Sequence, residues 1–544
     1  MSHAVRLPCD EGVIRSAPSV AAGAPAAAGA WVLAAAILGS SLAFIDGTVV
    51  SVALPAIARE FGAQGADLQW VVESYALLLS ALLLVGGSLG DHYGRRRVFA
   101  LGIVLFTAAS AVCGLAPSVS WLIAARAVQG AGAALLVPGS LALISASFDP
   151  ARRGQAIGTW SGFSGITAAI GPVIGGWLVN HSWRWAFYLN VPVAAVVLFL
   201  LRRVPESRNP NARGLDLLGA SLATVGLGGI VYGLIESSRR GWADPIVLAG
   251  LAAGGAALAA FLRVEARSAF PMLPLGLFRS PTFAGANALT FFLYGALACV
   301  FFFLPLDLIQ VQGYSPLSAG AAMLPFIAIL FLLSRWSGGL IARFGARRPL
   351  ILGPLVAASG FLLLSLPGIG GSYWRTFFPG MLVLGLGMAL SIAPLTTAVM
   401  NAVSEENAGI ASGVNNAVSR TAGLLAIALL GILLAGVFSH DLDRRVQELR
   451  LDPSTRAQVL AERTRLAAVT APPGLPAPQA EMVRGAVSLS FVAAFRVIAR
   501  VSAALAVTAS LCAWFWIGRG RKAPFSILRA RPVGAIASAR PGGV

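Results

Sequence analysis

The sequence predicts an all-α membrane protein in which two six-helix bundles flank two inserted central helices. Three observations carry that reading. Of 544 residues, 57% are hydrophobic and 11% charged, whereas soluble domains carry roughly a quarter of their residues as charged types. Apolar runs recur from Trp31 to Ile517, each of about 17 to 25 residues and so long enough to cross about 30 Å of hydrocarbon as a helix. A basic loop motif occurs twice, once after the second span and once after the tenth.

Residues 1–30 form a polar, then Ala/Gly/Pro-rich tail with no cleavage site, expected to be disordered and cytoplasmic. The first bundle, 31–201, holds spans at 31–56, 70–89, 98–116, 121–145, 156–179 and 185–201. The inserted pair, within 215–262, covers 217–235 and 246–262. The second bundle, 283–517, holds 283–304, 319–336, 350–366, 377–399, 410–438 and 497–517, with an extracytoplasmic loop at 439–488 and a basic cytoplasmic tail at 518–544.

The arginines orient these fourteen spans. Arg95, Arg96, Arg97, Arg152, Arg153, Arg202, Arg203, Arg208, Arg213, Arg263, Arg267, Arg279, Arg343, Arg347 and Arg348 all fall in loops on one side, and few fall on the other. By the positive-inside rule that side is cytoplasmic, with both termini. The net charge of +18 is then topological and needs no nucleic acid. Cys9, Cys113, Cys299 and Cys512 show neither metal nor redox spacing. The single lysine, Lys522, lies in the tail, so no phosphate loop of the Gly-x-x-x-x-Gly-Lys type exists in this chain.

Asp46 lies some fifteen residues into the first span, where an acid costs about 2.5 to 3.5 kcal/mol on insertion scales. Arg126 lies five residues into the fourth span, which enters from the opposite side, so the two are expected at matching depth. Such a pair suits proton coupling, because a nearby cation favours the carboxylate and burial favours the acid. A purely structural ion pair is the alternative. After the second span, Gly87, Gly90, Asp91, Gly94, Arg95 and Arg96, with Arg97, are expected to form a charged clasp that opens between states.

In the fifth span Gly158, Gly162, Gly165, Ala169, Pro172 and Gly176 share one helical face. Pro172 with Gly171, Gly175 and Gly176 marks a bend point. Gln129, Tyr294, Asn416 and Arg420 are expected at the substrate cavity, and Phe291, Phe292, Phe301, Phe302 and Phe303 are candidate apolar lining. Glu73 and Asp307 lie near helix ends and are expected at the interface, within reach of water.

These residues resemble the fourteen-span drug:proton antiporter family of the major facilitator superfamily, over nearly all of 31–517. The segment 45–55 around Asp46 is similar to that family's acidic first-helix motif, 87–97 to its loop motif, and 122–132 around Arg126 to its fourth-helix motif. Residues 171–176 resemble the antiporter motif of the fifth helix, with Thr167 where the family has a glycine. Segments 183–192 and 314–320 also resemble the fourteen-span branch.

The resemblance implies the major facilitator fold, alternating access and outward transport of drugs or small apolar compounds. No cofactor beyond the proton gradient is expected, and no catalysis. The expected partners are substrate, protons and the lipid bilayer, with the chain a monomer in the inner membrane, joined by envelope proteins where a cell has two membranes. A solute importer or symporter on the same scaffold is the alternative, and a membrane-bound transferase a more distant one.

Overall fold

The computed structural model describes residues 26–148, 150–208, 216–403, 408–449 and 451–518; the expected tails 1–30 and 518–544 lie outside the described residues up to 25 and from 519, and residues 26–30 are helical rather than disordered, forming the start of the first helix. All regular structure among the described residues is helical. The principal helices are α1 (Ala26–Phe61), α2 (Gly65–Tyr93), α3 (Arg95–Gly114), α4 (Val119–Ser147), α5 (Pro150–His181) and α6 (Trp185–Leu201, interrupted at Leu189). Then come α7 (Leu217–Arg240) and α8 (Pro245–Glu265). The second bundle holds α9 (Pro281–Leu306), α10 (Pro316–Ala321 continued by Leu324–Phe344), α11 (Arg347–Leu364), α12 (Phe378–Asn401), α13 (Ala408–Glu448) and α14 (Ala477–Trp516). Twelve of the described helices are long and apolar enough to cross a bilayer. The shorter α6, and α5, stand where the remaining two spans are expected.

Local chemistry sets several starts. Ser280 before Pro281 and Ser315 before Pro316 each accept a hydrogen bond from the third residue on, while proline takes the first helical position. Asp244 before Pro245 does the same for α8. Below, the end of the molecule where α1 begins is termed proximal, and the end carrying the turn at 62–64 distal.

Three apolar cores hold the bundle. Phe99, Ile103, Phe106 and Leu136 centre the first six helices. Phe283, Phe361, Phe438 and Phe491 belong to a larger core that fills the second bundle and reaches Leu54, Val71 and Leu122 of the first. The inserted α7 lays Leu227, Val231 and Leu234 against Leu77 of α2 and Leu424 and Ala428 of α13, so it covers a line where the two bundles meet. Glycines allow close helix contacts: a Cβ on Gly130 of α4 would stand 2.3 Å from Tyr75 O of α2, and one on Gly229 of α7 2.8 Å from Gly254 Cα of α8. Leu101, Phe199, Leu248 and Trp516 are exposed on the outside, as a lipid-facing surface requires.

Two expectations change. The last two helices are far longer than their apolar spans, at 41 and 40 residues, or about 60 Å each at 1.5 Å per residue. They project from the distal end, where Phe438, Leu442 and Val446 pack with Val483, Val487 and Phe491. Much of the expected loop 439–488 is therefore helix. Apolar residues at helical spacing continue beyond the span, but arginines and acids between them lower the mean hydropathy that marks a span. Three of the candidate lining residues of α9 are packing groups: Phe302 and Phe303 are buried against each other, and Phe301 packs on Phe326 of α10.

Candidate functional site: a buried ion pair between two closures

Asp46 of α1 and Arg126 of α4 meet at 2.5 Å, each about 1% exposed. Equal depth, expected from residue counts, is realised as direct contact. Arg126 Nη1 also donates to Gln129 Oε1 at 2.8 Å, and Gln129 Nε2 donates to the second Asp46 oxygen at 2.8 Å, closing a ring of three side chains. Arg126 Nε donates to Val71 O of α2 at 3.0 Å, and the guanidinium stacks 4.2 Å from the centroid of Tyr75. Arg126 Nε and Nη1 and Gln129 Nε2 therefore all donate to acceptors inside the protein. Gln129 is fully buried within it; it orients the pair rather than lining a substrate cavity as expected. Its spacing of three from Arg126 places both on one face of α4, the signal from which this role is legible.

Protonating Asp46 removes the charge that Arg126 pairs with and converts one acceptor oxygen into a hydroxyl. The arginine then keeps Val71 O, Gln129 and the Tyr75 face, enough to hold it in place while the α1–α4 attraction falls.

The proximal clasp is present, with a partner that sequence reasoning missed. Asp91 pairs with Arg95 at 2.8 Å. Glu206, just past α6, accepts from the Arg96 amide at 3.0 Å and stands 3.7 Å from both the Arg96 and Arg97 side chains. Arg96 also donates to Val204 O at 2.9 Å, and the Arg95 amide to Ser207 O at 2.9 Å. Gly94 has φ +111°, and a Cβ there would stand 2.8 Å from the Glu206 carboxylate. A glycine is required at that turn. Gly87 and Gly90 have ordinary room around them, so of the three clasp glycines Gly94 alone is demanded by its surroundings. All these contacts tie together α2, α3 and the end of α6, within the first bundle.

The distal closure is made by the glycine-proline segment of α5. A Cβ on Gly171 would meet Thr48 Oγ1 at 2.1 Å, and one on Gly175 would meet Val49 of α1 at 2.9 Å. A Cβ on Gly176 would lie 2.4 Å from Pro316 O, and one on Gly320 2.0 Å from Pro172 O. Backbone thus meets backbone between α5 and α10, across the two bundles. Gly158, Gly162, Gly165 and Ala169 lie on α5, and what they pack against is outside what the structure describes. Beyond this closure, Leu466 packs against Gly65 and Arg465 approaches Gly62, so the projecting segment of the second bundle rests on the first distal turn.

The remaining candidates separate. Arg420 of α13 is half-buried and has no carboxylate within ion-pair distance among the described residues. Tyr294 is half-buried against the second core. Asn416 is exposed and bonds back to Ser412 O at 3.3 Å. Its neighbour Asn415 joins α13 to α9 instead, donating to Asn287 at 3.1 Å and Thr290 at 2.7 Å. Two adjacent asparagines give no sequence signal for which one faces the neighbouring helix. Glu73 and Asp307 are not at a wet interface: they are 0% and 2% exposed. Asp307 sits in a π turn after Pro305, with Gln312 Nε2 3.4 Å away.

Residues 36–428 match the family described as Major Facilitator Superfamily. The chain is 40% identical over 434 residues to "Multidrug resistance protein Stp" of Mycobacterium tuberculosis (strain CDC 1551 / Oshkosh), covering 78% of this chain and 79% of that one. It is 32% identical over 493 residues to "Tetracenomycin C resistance and export protein" of Streptomyces glaucescens, covering 89% and 90%. Among solved structures it is similar to a bacterial homolog of the human lysosomal transporter Spinster, with TM-score 0.64 and 19% identity over 90% of this chain and 98% of that one. At that identity the likeness shows the fold.

Proposed function

This chain belongs to the Major Facilitator Superfamily, and from that membership we propose that it is a proton-driven exporter of small apolar or amphipathic compounds, drugs or antibiotics among them. The observation that carries the coupling is the Asp46–Arg126–Gln129 ring, a charged group held at bilayer depth between α1 and α4. The named activities of the relatives, resistance and export, support the direction.

The arginine distribution supports a cytoplasmic proximal end and an outward distal end. The arrangement then corresponds to a state closed to the outside, sealed where α5 meets α10. Export proceeds by alternating access. A proton from outside neutralises Asp46 when the distal closure opens, the α1–α4 attraction weakens, and the bundles rock to face inward. There the proton leaves and substrate enters, and re-forming the ion pair returns the loaded site outward. A potential of 100 mV contributes about 2.3 kcal/mol for each charge moved across, so electrogenic exchange can work against a substrate gradient.

A susceptibility and dye-efflux panel in cells with and without the protein tests this reading. Expression should lower accumulation of at least one lipophilic compound, and a protonophore should restore it. Raised accumulation in expressing cells would instead indicate an importer.

A further inference from the structure

Glu73 lies on α2 one turn beyond Gln69, whose side-chain amide donates to Ile427 O of α13 at 3.5 Å. One turn further on is Leu77, which packs with Leu424 and Ala428 of α13 and Val231 of α7. Glu73 therefore falls on the stripe of α2 that faces the second bundle. Cys299 of α9 is within electrostatic reach of it, and that thiol lies 3.8 Å from Ala426 O of α13. The carboxyl is thus held where α2 of the first bundle meets α9 and α13 of the second. It is 0% exposed, and neither oxygen has a hydrogen-bond partner among the described residues.

None of the charged groups around it pairs with it among the described residues. Arg126 is bound to Asp46, Gln129 and Val71 O. Arg420 of α13 makes no ion pair with Glu73 or with another carboxylate among the described residues. Glu236 of α7 takes Trp70, Arg239 and Arg240. The Cys299 thiol of α9 brings no positive charge. A bare carboxylate without donors is among the most costly groups a membrane interior can hold, and a polar residue kept there serves a ligand. The smallest ligand that satisfies it is a proton. The seam that buries Glu73 joins the two bundles, so separating them there brings it to water.

We propose that Glu73 is a second proton-binding site, loaded when the seam between α2 and α13 opens and carrying its proton as a neutral acid in the distally closed state. The proposal rests on the proton-driven reading and deepens it, because Asp46 exchanges its proton against an arginine whereas Glu73 has no counter-cation. In loading, hydronium at the opened seam gives one proton to a Glu73 oxygen, leaving water and a carboxylic acid. Unloading is the reverse step at the opposite end.

Infrared spectroscopy of the purified full chain in lipid at neutral pH tests this, with the proton itself as probe. The wild type should show the C=O stretch of a protonated, poorly hydrogen-bonded carboxyl group. Glu73→Gln should lose that band, Glu73→Asp should restore it at a shifted position, and Asp46→Asn and Asp307→Asn should keep it. On raising the pH, Glu73→Gln should release a single proton fewer per chain than wild type, read with an indicator dye in weak buffer. Absence of the band from wild type, or its persistence in folded Glu73→Gln, overturns the proposal, and a misfolded Glu73→Gln leaves the decision to the shift in Glu73→Asp. Neither readout involves transport, so failure of proton-driven export and failure of this site are separable.

Discussion

Replacing Asp46 by asparagine keeps the volume of the side chain and removes its charge. Arg126, about 1% exposed, then remains a buried cation with neutral acceptors only. Breaking a buried pair from one side costs about 3 to 5 kcal/mol. Val71 O, Gln129 and the Tyr75 ring survive as partners, which places the expected loss near the lower end, about 3 kcal/mol. Replacing both members, with Arg126→Met filling the space, removes the unpaired charge. The double variant should lie within about 2 kcal/mol of wild type, the residual coming from acceptors left without a donor. The assay is a double-mutant cycle on reversible SDS unfolding of the purified protein; with about 3 kcal/mol lost in each single variant and about 2 kcal/mol in the double, the expected coupling energy is about 4 kcal/mol. Additive effects, with coupling near zero, would refute the reasoning that each group is held by the other.

Three further outcomes follow from particular contacts. Gly176→Ala places a Cβ 2.4 Å from Pro316 O, so it should open the distal closure; spin labels at positions 180 and 313 should move apart, and an unchanged distance distribution would contradict the assigned seal. Gly94→Ala should lower stability by about 1 to 2 kcal/mol, because its φ of +111° disfavours a side chain; adding Glu206→Ala should not restore it, and full rescue would show that crowding rather than backbone strain is the cause. Asn415→Ala should destabilise by about 0.6 to 1.7 kcal/mol through loss of its bonds to α9, whereas Asn416→Ala should leave the SDS midpoint unchanged, and equal effects would contradict the side-chain assignment.

Much of the architecture was legible because the bilayer imposes long apolar runs and an arginine asymmetry, both local properties of the chain. The Asp46–Arg126 contact was legible for a related reason: helix rise converts residue counts into depth, and charges are rare enough at that depth to suggest each other as partners. Glu206 was not, because it lies 110 residues from Arg96 in a loop where acids are unremarkable. The role of Gln129 was half visible, since helical spacing joins it to Arg126 but cannot say whether an amide faces a cavity or a neighbour. Glu73 was misjudged because position near a helix end implies water only when no other helix covers it, and here the second bundle does. The long projections of α13 and α14 were hidden by charges on their exposed faces, while Leu442, Val446, Val483 and Val487 continue the helical pattern underneath.

The claim on which the account turns is that protonation of Asp46 drives the switch between states. The most direct test reconstitutes wild type and Asp46→Asn in liposomes with one dye that the wild type exports, and compares flux under an imposed pH gradient with dye exchange at equal pH. Asp46→Asn should lose the gradient-driven flux and retain exchange; gradient-driven flux equal to wild type would contradict the proposed role of Asp46.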